Sequence, residues 1–342
     1  MNNIIYVLPS EKGPAGGIKV SLKHSEIINK LNKKFSSQVI FIKKKKFSKW
    51  KNSLHKLITL KQPNKGWKFD QISIDKNNKS KWFDNNVIIK ENFKFNKKKD
   101  FVILPEIFAH LAEDLLIKNN INYAIFVQNG HAIEFTSDHK TLNLAYSKAK
   151  FILSVSNHVN RCIKLAFPNN KNKIFIINQS IAPHELNYKQ KSKIITYMPR
   201  KLPDHSKLVL FFLKRYLPKK WSIVSLEKMN EKTIFKNLKK SKIFLSFSNL
   251  EGFGLPPLEA ASLGNIIIGY TGEAGKEYWK SPIFKKINQG DILSFVNAIK
   301  STIQKKFDYL AINEQRKKLL KKYSENVQKL QLCRILNNIQ KI

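Results

Sequence analysis

The stretch "SNLEGFGLPPLEAASLGNIIIGYTGE", Ser248 to Glu273, holds two glutamates, Glu251 and Glu259, with seven residues between them. A carboxylate accepts hydrogen bonds at both oxygens, so each glutamate can hold a pair of hydroxyls, such as a ribose diol or two positions of a sugar ring. Between them, Gly252 and Gly254 allow a backbone to approach a ligand closely, and Pro256 and Pro257 supply the fixed φ of a helix start. The free amides of that start present partial positive charge to a phosphate. Gly264 is placed to stop the helix. The chemistry suggested is the grip of one ligand at two places: Glu259, in the first helical turn, on a diol, and Glu251, one loop earlier, on a different ring. Read alone, the same residues also fit a tight turn in which Glu259 complements a helix dipole and Glu251 faces solvent.

The elements that must position this loop are strands and helices in alternation. Short apolar runs occur at Ile4 to Pro9, Gln38 to Ile42, Phe101 to Pro105, Tyr123 to Asn129, Phe151 to Ser156 and Lys173 to Asn178, and helix-period segments such as "IKVSLKHSEIINKLNKK" and "EIFAHLAEDLLIKNN" lie between them. Continuous apolar strands separated by helices predict a parallel sheet covered on both faces. A second series starts after the polar segment "SIAPHELNYKQKSK": Ile194 to Met198, Trp221 to Leu226, Lys242 to Ser248 and Asn265 to Tyr270. The expected architecture is therefore α/β, with two Rossmann-like doubly wound domains facing across a cleft. Residues 1–187 form the first, 188–325 the second, and 326–342 a terminal helix that packs on either domain. At 342 residues the chain is long enough for two cores.

"EGFGLPPLEA" followed by "SLGNIIIGY" resembles the E-x7-E signature of retaining glycosyltransferases of the GT-B fold, family 4. The resemblance is sharp over Lys242 to Gly272 and architectural elsewhere. It implies a sugar transferred from a nucleoside diphosphate donor to a glycan or lipid-linked acceptor in cell-surface polysaccharide synthesis. Glu259 would then hold the ribose, Glu251 the donor sugar, and the backbone of Gly252, Phe253, Gly254 and Leu255 the sugar and phosphates. Basic side chains after the second domain's first strand would stabilise the departing diphosphate; "IITYMPRKLPDHSK" offers Arg200 first, then Lys201 or Lys207. In the first domain, Gly16 and Gly17 resemble the glycine loop brought toward the phosphates. Gln128, Asn129 and His131 end the fourth apolar run where relatives carry a histidine against the donor sugar. Glu106 follows the third run and fits a cap of the next helix.

Bulk composition bounds these readings. A formal net charge of +39 favours polyanions or phosphorylated ligands. From Lys43 to Lys68 the chain carries ten lysines and no acidic residue, interleaved with Phe47, Trp50 and Trp67. That segment fits an anionic membrane surface or a run of solvated lysines. A nucleic-acid binder would explain the charge but not the two-glutamate loop, and a relative with other chemistry, such as a sugar-nucleotide epimerase or a phosphorylase, would share the fold. No D-x-D triplet occurs, so metal-independent transfer without a cofactor is expected. Cys162 and Cys333 show neither paired nor metal-ligand spacing, the first residues lack the pattern of a secretory signal, and no apolar run reaches membrane-spanning length; a cytoplasmic protein is expected, peripheral on a membrane where the basic segment docks.

Overall fold

A computed structural model describes residues 2–11, 15–31, 34–45, 66–78, 83 and 85–342. Residues 46–65, and with them most of the basic Lys43–Lys68 stretch, lie outside the described residues. The chain divides into two compact units, one of Met1–Val155, Val159–Ile177 and Lys329–Ile342, the other of Ser156–His158 and Asn178–Gln328.

The first unit is built on an eight-stranded sheet. Its strands are β1 (Asn2–Pro9), β2 (Phe35–Lys44), β3 (Ile72–Ile74), β4 (Ile88–Ile89), β5 (Asp100–Pro105), β6 (Tyr123–Val127), β7 (Phe151–Ser154) and β8 (Ile174–Ile176). They run in the order β3-β2-β1-β5-β6-β7-β8, with β4 also on β2. All pairings are parallel except β3 on β2. The β5 and β6 strands are buried at every position, as a sheet covered on both faces requires. The helices α1 (Gly16–Leu31), α2 (His139–Lys148) and α3 (Asn157–Ala166) are joined by a modified element where "EIFAHLAEDLLIKNN" predicts one α-helix. There the chain makes a 3₁₀ helix over Glu106–Leu111 and then a π turn over Glu113–Ile117. A tight turn followed by a wide one averages to about the α period, which is why the apolar spacing reads as α-helical.

In the second unit the strands β9 (Ile194–Tyr197), β10 (Ser222–Ser225), β11 (Ile243–Glu251), β12 (Ile266–Glu273) and β13 (Phe284–Lys286) form a wholly parallel sheet in the order β10-β9-β11-β12-β13. The chain winds from β9 to one side and then returns past it, so the order reverses between β9 and β11. The helices are α4 (Pro203–Lys214), α5 (Glu231–Lys240), α6 (Leu255–Ser262), α7 (Ile292–Gln304) and α8 (Tyr309–Lys322). The Asn230 side chain accepts from the Thr233 amide to start α5, and Asp308 accepts from Ala311 to start α8. After α8 ends at Lys322, the terminal helix α9 spans Glu325–Ile339. No helix among the described residues is long and apolar enough to cross a membrane.

Candidate active site

In open parallel sheets, ligands lie beyond the carboxyl ends of the strands where the strand order reverses. In the second unit that place falls between β9 and β11, and it is where two of the predicted side chains meet. Lys201, in the loop after β9, brings its Nζ to 3.4 Å from Oε1 of Glu251, the last residue of β11. The two side chains are 37% and 23% exposed, so the pair is neither sealed in the core nor free of the surface. Arg200 is exposed beside Lys201. Lys207 instead lies on the first turns of α4, where its ammonium pairs with Asp204 at 3.7 Å, and both are largely exposed. The structure thus brings Lys201, not Lys207, to the glutamate.

How β11 ends explains the position of Glu251. Its pairing with β12 shifts register between Ser248 and Glu251, and Leu250 adopts a φ of 44°, so the strand bulges before the glutamate. Gly272 of β12 leaves the room: a Cβ there would come within 2.9 Å of both the Glu251 Cγ and the Ser248 Cβ. Sequence reasoning passed over Gly272, and its only signal was a glycine inside an otherwise apolar strand pattern.

The loop that follows is fixed from behind. Gly252, Phe253 and Gly254 are all buried, and Gly254 has the left-handed φ of 82° as the residue capping α6. The Ser156 hydroxyl donates to the Gly252 carbonyl at 2.7 Å, and the Tyr278 hydroxyl donates to the Gly254 carbonyl at 2.6 Å. In a planar trans peptide the carbonyl and the following N–H point in opposite directions. The amides of Phe253 and Leu255 are therefore aimed away from those hydroxyls. The Phe253 ring is the anchor, edge-on to Tyr323 at 5.3 Å and tilted on Tyr278 at 6.0 Å. Neither Ser156 nor Tyr278 was legible as part of this loop, since the first lies 96 residues away and meets it through a hydroxyl turned to a carbonyl.

Glu259 is half-buried on α6, and its charge raises the pKa of His184, although burial and the cations Lys239 and Arg316 together hold that histidine below its ordinary value. The buried Arg316 of α8 secures the far end of α6, donating from Nε to the Ser262 carbonyl and from Nη2 to the His184 carbonyl. Gly264 takes the left-handed φ of 73° that ends the helix.

In the first unit the order reverses between β1 and β5, and predicted residues gather at the carboxyl ends of β5 and β6. Gly16 and Gly17 begin α1 rather than a loop, because the Ala15 carbonyl already accepts from Ile18 and Lys19. A Cβ on Gly17 would meet the Gln128 Oε1 at 2.6 Å, so this glycine admits a side chain of its own unit. Gln128 donates from Nε2 to the Ser21 hydroxyl of α1. Asn129 accepts from the His131 amide and so caps the short turn Gly130–Ala132, leaving His131 partly exposed at its centre. Glu106 does not cap the helix after β5. Its carboxylate accepts from the Gln128 amide at 3.1 Å and the Asn129 amide at 2.9 Å, closing off the end of β6. Burial pushes its carboxyl up to about 7 against the pull of those amides.

Among the described residues no group of three His, Cys, Asp or Glu side chains is arranged to hold a metal ion. No protein-family model matches the chain, and no curated protein matches it in sequence. Solved structures do match across nearly its whole length. The chain is similar to an apo lipopolysaccharide outer core galactosyltransferase, WaaB, at 12% identity over 99% of this chain and 100% of that one, with a TM-score of 0.64. It is similar to S. aureus TarM, a variant solved with fondaparinux, α-GlcNAc-glycerol and UDP, at 12% identity over 98% and 99% of the chains, with a TM-score of 0.65. Anabaena HepE, in complex with UDP and glucose, matches at 10% identity over 99% and 100% of the chains, with a TM-score of 0.63. At such identities the likeness is one of fold, the two Rossmann-like units of the GT-B glycosyltransferases.

Proposed function

We propose that the protein is a retaining, hexosyl-transferring glycosyltransferase that moves a sugar from a nucleoside diphosphate donor to a hydroxyl of a glycan or lipid-linked acceptor, in the assembly of a cell-surface polysaccharide. The observation that carries the reading is the Lys201–Glu251 pair at the strand-order reversal, beside the loop whose Gly252 and Gly254 carbonyls are held by hydroxyls, with the amides of Phe253 and Leu255 aimed away from them. Two of the matching structures, solved with UDP beside glucose or α-GlcNAc-glycerol, support the same substrate class.

In this reading the amides of Phe253 and Leu255 and the start of α6 receive the diphosphate, Glu259 holds the ribose diol and Glu251 the sugar. The bond from the anomeric carbon to the diphosphate oxygen breaks while the acceptor oxygen bonds on the same face, and the acceptor proton passes to the departing phosphate. Charge grows on that phosphate as the bond breaks. Arg200 and Lys201 are cations placed at the same strand ends, and they stabilise the transition state more than the ground state. They fill the place of a divalent metal, so a chelator should leave turnover unchanged. Glu251 steadies the oxocarbenium-like sugar by its charge, without forming a bond to it. In the first unit, the same reading puts Gln128, Asn129 and His131, at the carboxyl edge of the sheet, on the donor sugar.

The test is donor binding. Calorimetry with the bare nucleoside diphosphates should identify one that binds, and Glu259→Ala should weaken it by about 1.5 to 3 kcal/mol, the range for hydrogen bonds to a charged group. Unchanged affinity in that variant would remove Glu259 from the site. A panel of sugar nucleotides that yields interconverted donor in place of transfer or hydrolysis would replace a transferase with an epimerase.

A further inference from the structure

Helix α4 buries Ser206, Val209 and Leu213 against the second unit's core. Its outer side is apolar as well, where a solvated helix face should be polar. Leu208, Phe211, Phe212 and, just past the helix, Tyr216 are 46%, 72%, 42% and 50% exposed. Single exposed apolar residues are ordinary. These are not single: of the twelve large apolar side chains exposed among the described residues, four fall within the nine positions 208–216. The two phenylalanine rings meet edge-to-face at 5.4 Å outside the core.

Cations frame this ridge. Lys207, Lys214, Arg215, Lys219 and Lys220 lie along or just after the helix, and Asp204 is the one acidic residue from Pro203 to Lys220. The Lys300 ammonium of α7 sits 3.7 Å from the centre of the Tyr216 ring. Lys193, before β9, is held below its ordinary pKa by partial loss of water and then by the charge and hydrogen bond of Lys220. A surface that crowds ammonium groups together lowers its free energy against dense negative charge.

We propose that this outer face of the second unit seats on an anionic lipid surface, with Phe211 and Phe212 entering the interface and the lysines at the end of α4 meeting the headgroups. Three observations select that occupant. The apolar side chains stand on the convex side of a helix, which suits insertion among lipids better than a partner needing a groove. A second copy of the chain docking by the same face would set these cations against their own equivalents. An acidic protein would answer the charge but leaves two adjacent exposed phenylalanines without a reason, whereas a headgroup layer over hydrocarbon answers both. The inference stands independently of the sugar-transfer reading and of the basic segment near residue 50.

The decisive measurements use the full chain and vesicles of phosphatidylcholine with or without phosphatidylglycerol. Phe211→Trp should show blue-shifted emission with the anionic vesicles and quenching by lipids brominated on the acyl chain, after subtraction of the wild-type signal. Phe211→Ser with Phe212→Ser should lower partition onto anionic vesicles by about tenfold or more, while circular dichroism and nucleotide binding stay as in the wild type. Absence of quenching at position 211, or a double variant that sediments with anionic vesicles as the wild type does, overturns the proposal. So does a wild-type dimer in sedimentation velocity that the double variant loses, which would assign the face to a second copy. Preferential capture of a polyglutamate peptide over anionic vesicles would assign it to an acidic protein.

Discussion

Each unit ends a central strand next to its order reversal with a glutamate, and the two are put to opposite uses. Glu106, after β5, is 5% exposed, and both its oxygens are taken by amides of the neighbouring strand's end. Glu251, at the end of β11, keeps a 23% exposed side chain whose described contact is the ammonium of Lys201 at 3.4 Å. The carboxylate that carries an amide on each oxygen and is shut away from water maintains the shape of its sheet edge. The one with spare acceptor capacity, in contact with water, is the one a ligand can reach. Position at a strand's carboxyl end is therefore not enough to identify a working residue; what matters is how much of its hydrogen-bonding capacity the fold has already used.

The sharpest way to break this contrast is to remove each carboxylate and read both activity and stability. Glu251→Ala should lower turnover by about 100- to 1,000-fold, on the order of 3 to 4 kcal/mol of transition-state stabilisation, with its denaturation midpoint nearly unchanged. A variant that loses stability and keeps turnover would reverse the assignment. Glu106→Ala should do the opposite through the two amides it strands, costing about 2 to 4 kcal/mol in chemical denaturation.

A pH series sharpens the point. The Glu106 carboxyl, at about 7 in the folded chain, lies above the ordinary 4.5 of an unfolded one, so the folded state binds the extra proton between those values. Its contribution to stability is full below about pH 4.5 and is lost as pH rises through about 7. Glu106→Gln should flatten that fall relative to wild type, and parallel curves would show that the group does not titrate there. The smallest effect is expected at Lys201→Met. The Lys201–Glu251 pair is partly exposed, so its loss should change stability by under about 1 kcal/mol, while turnover drops more than the donor Michaelis constant rises.

Much of the sheet was legible in the sequence because strands buried on both faces are continuous apolar runs, and ten such runs correspond to strands of the two sheets. The short strands β3, β4 and β13 were not, since two or three residues such as "FKK" carry no periodicity of their own. Within the site, the loop residues Glu251 to Leu255 were visible through their glycines, prolines and spacing. The choice between Lys201 and Lys207 was not, because it depends on where α4 begins: Pro203 starts the helix and carries Lys207 onto its surface, leaving Lys201 in the loop. Gly16 and Gly17 read in sequence as a loop, whereas they start α1, and Gly17 leaves room for the Gln128 side chain.

The hydroxyl of Ser156 has a consequence beyond fastening a loop. The peptide it holds joins Gly252 to Phe253, and the glycine on one side gives that unit little steric resistance to rotation. Turned through half a revolution, the same peptide would show an oxygen where it now shows an amide hydrogen, and the local field would change from attracting an anion to repelling it. One buried alcohol group, contributed from 96 residues away, thus sets the direction of that one peptide. Its replacement by alanine would leave the loop's sequence intact and the direction of that peptide undefined.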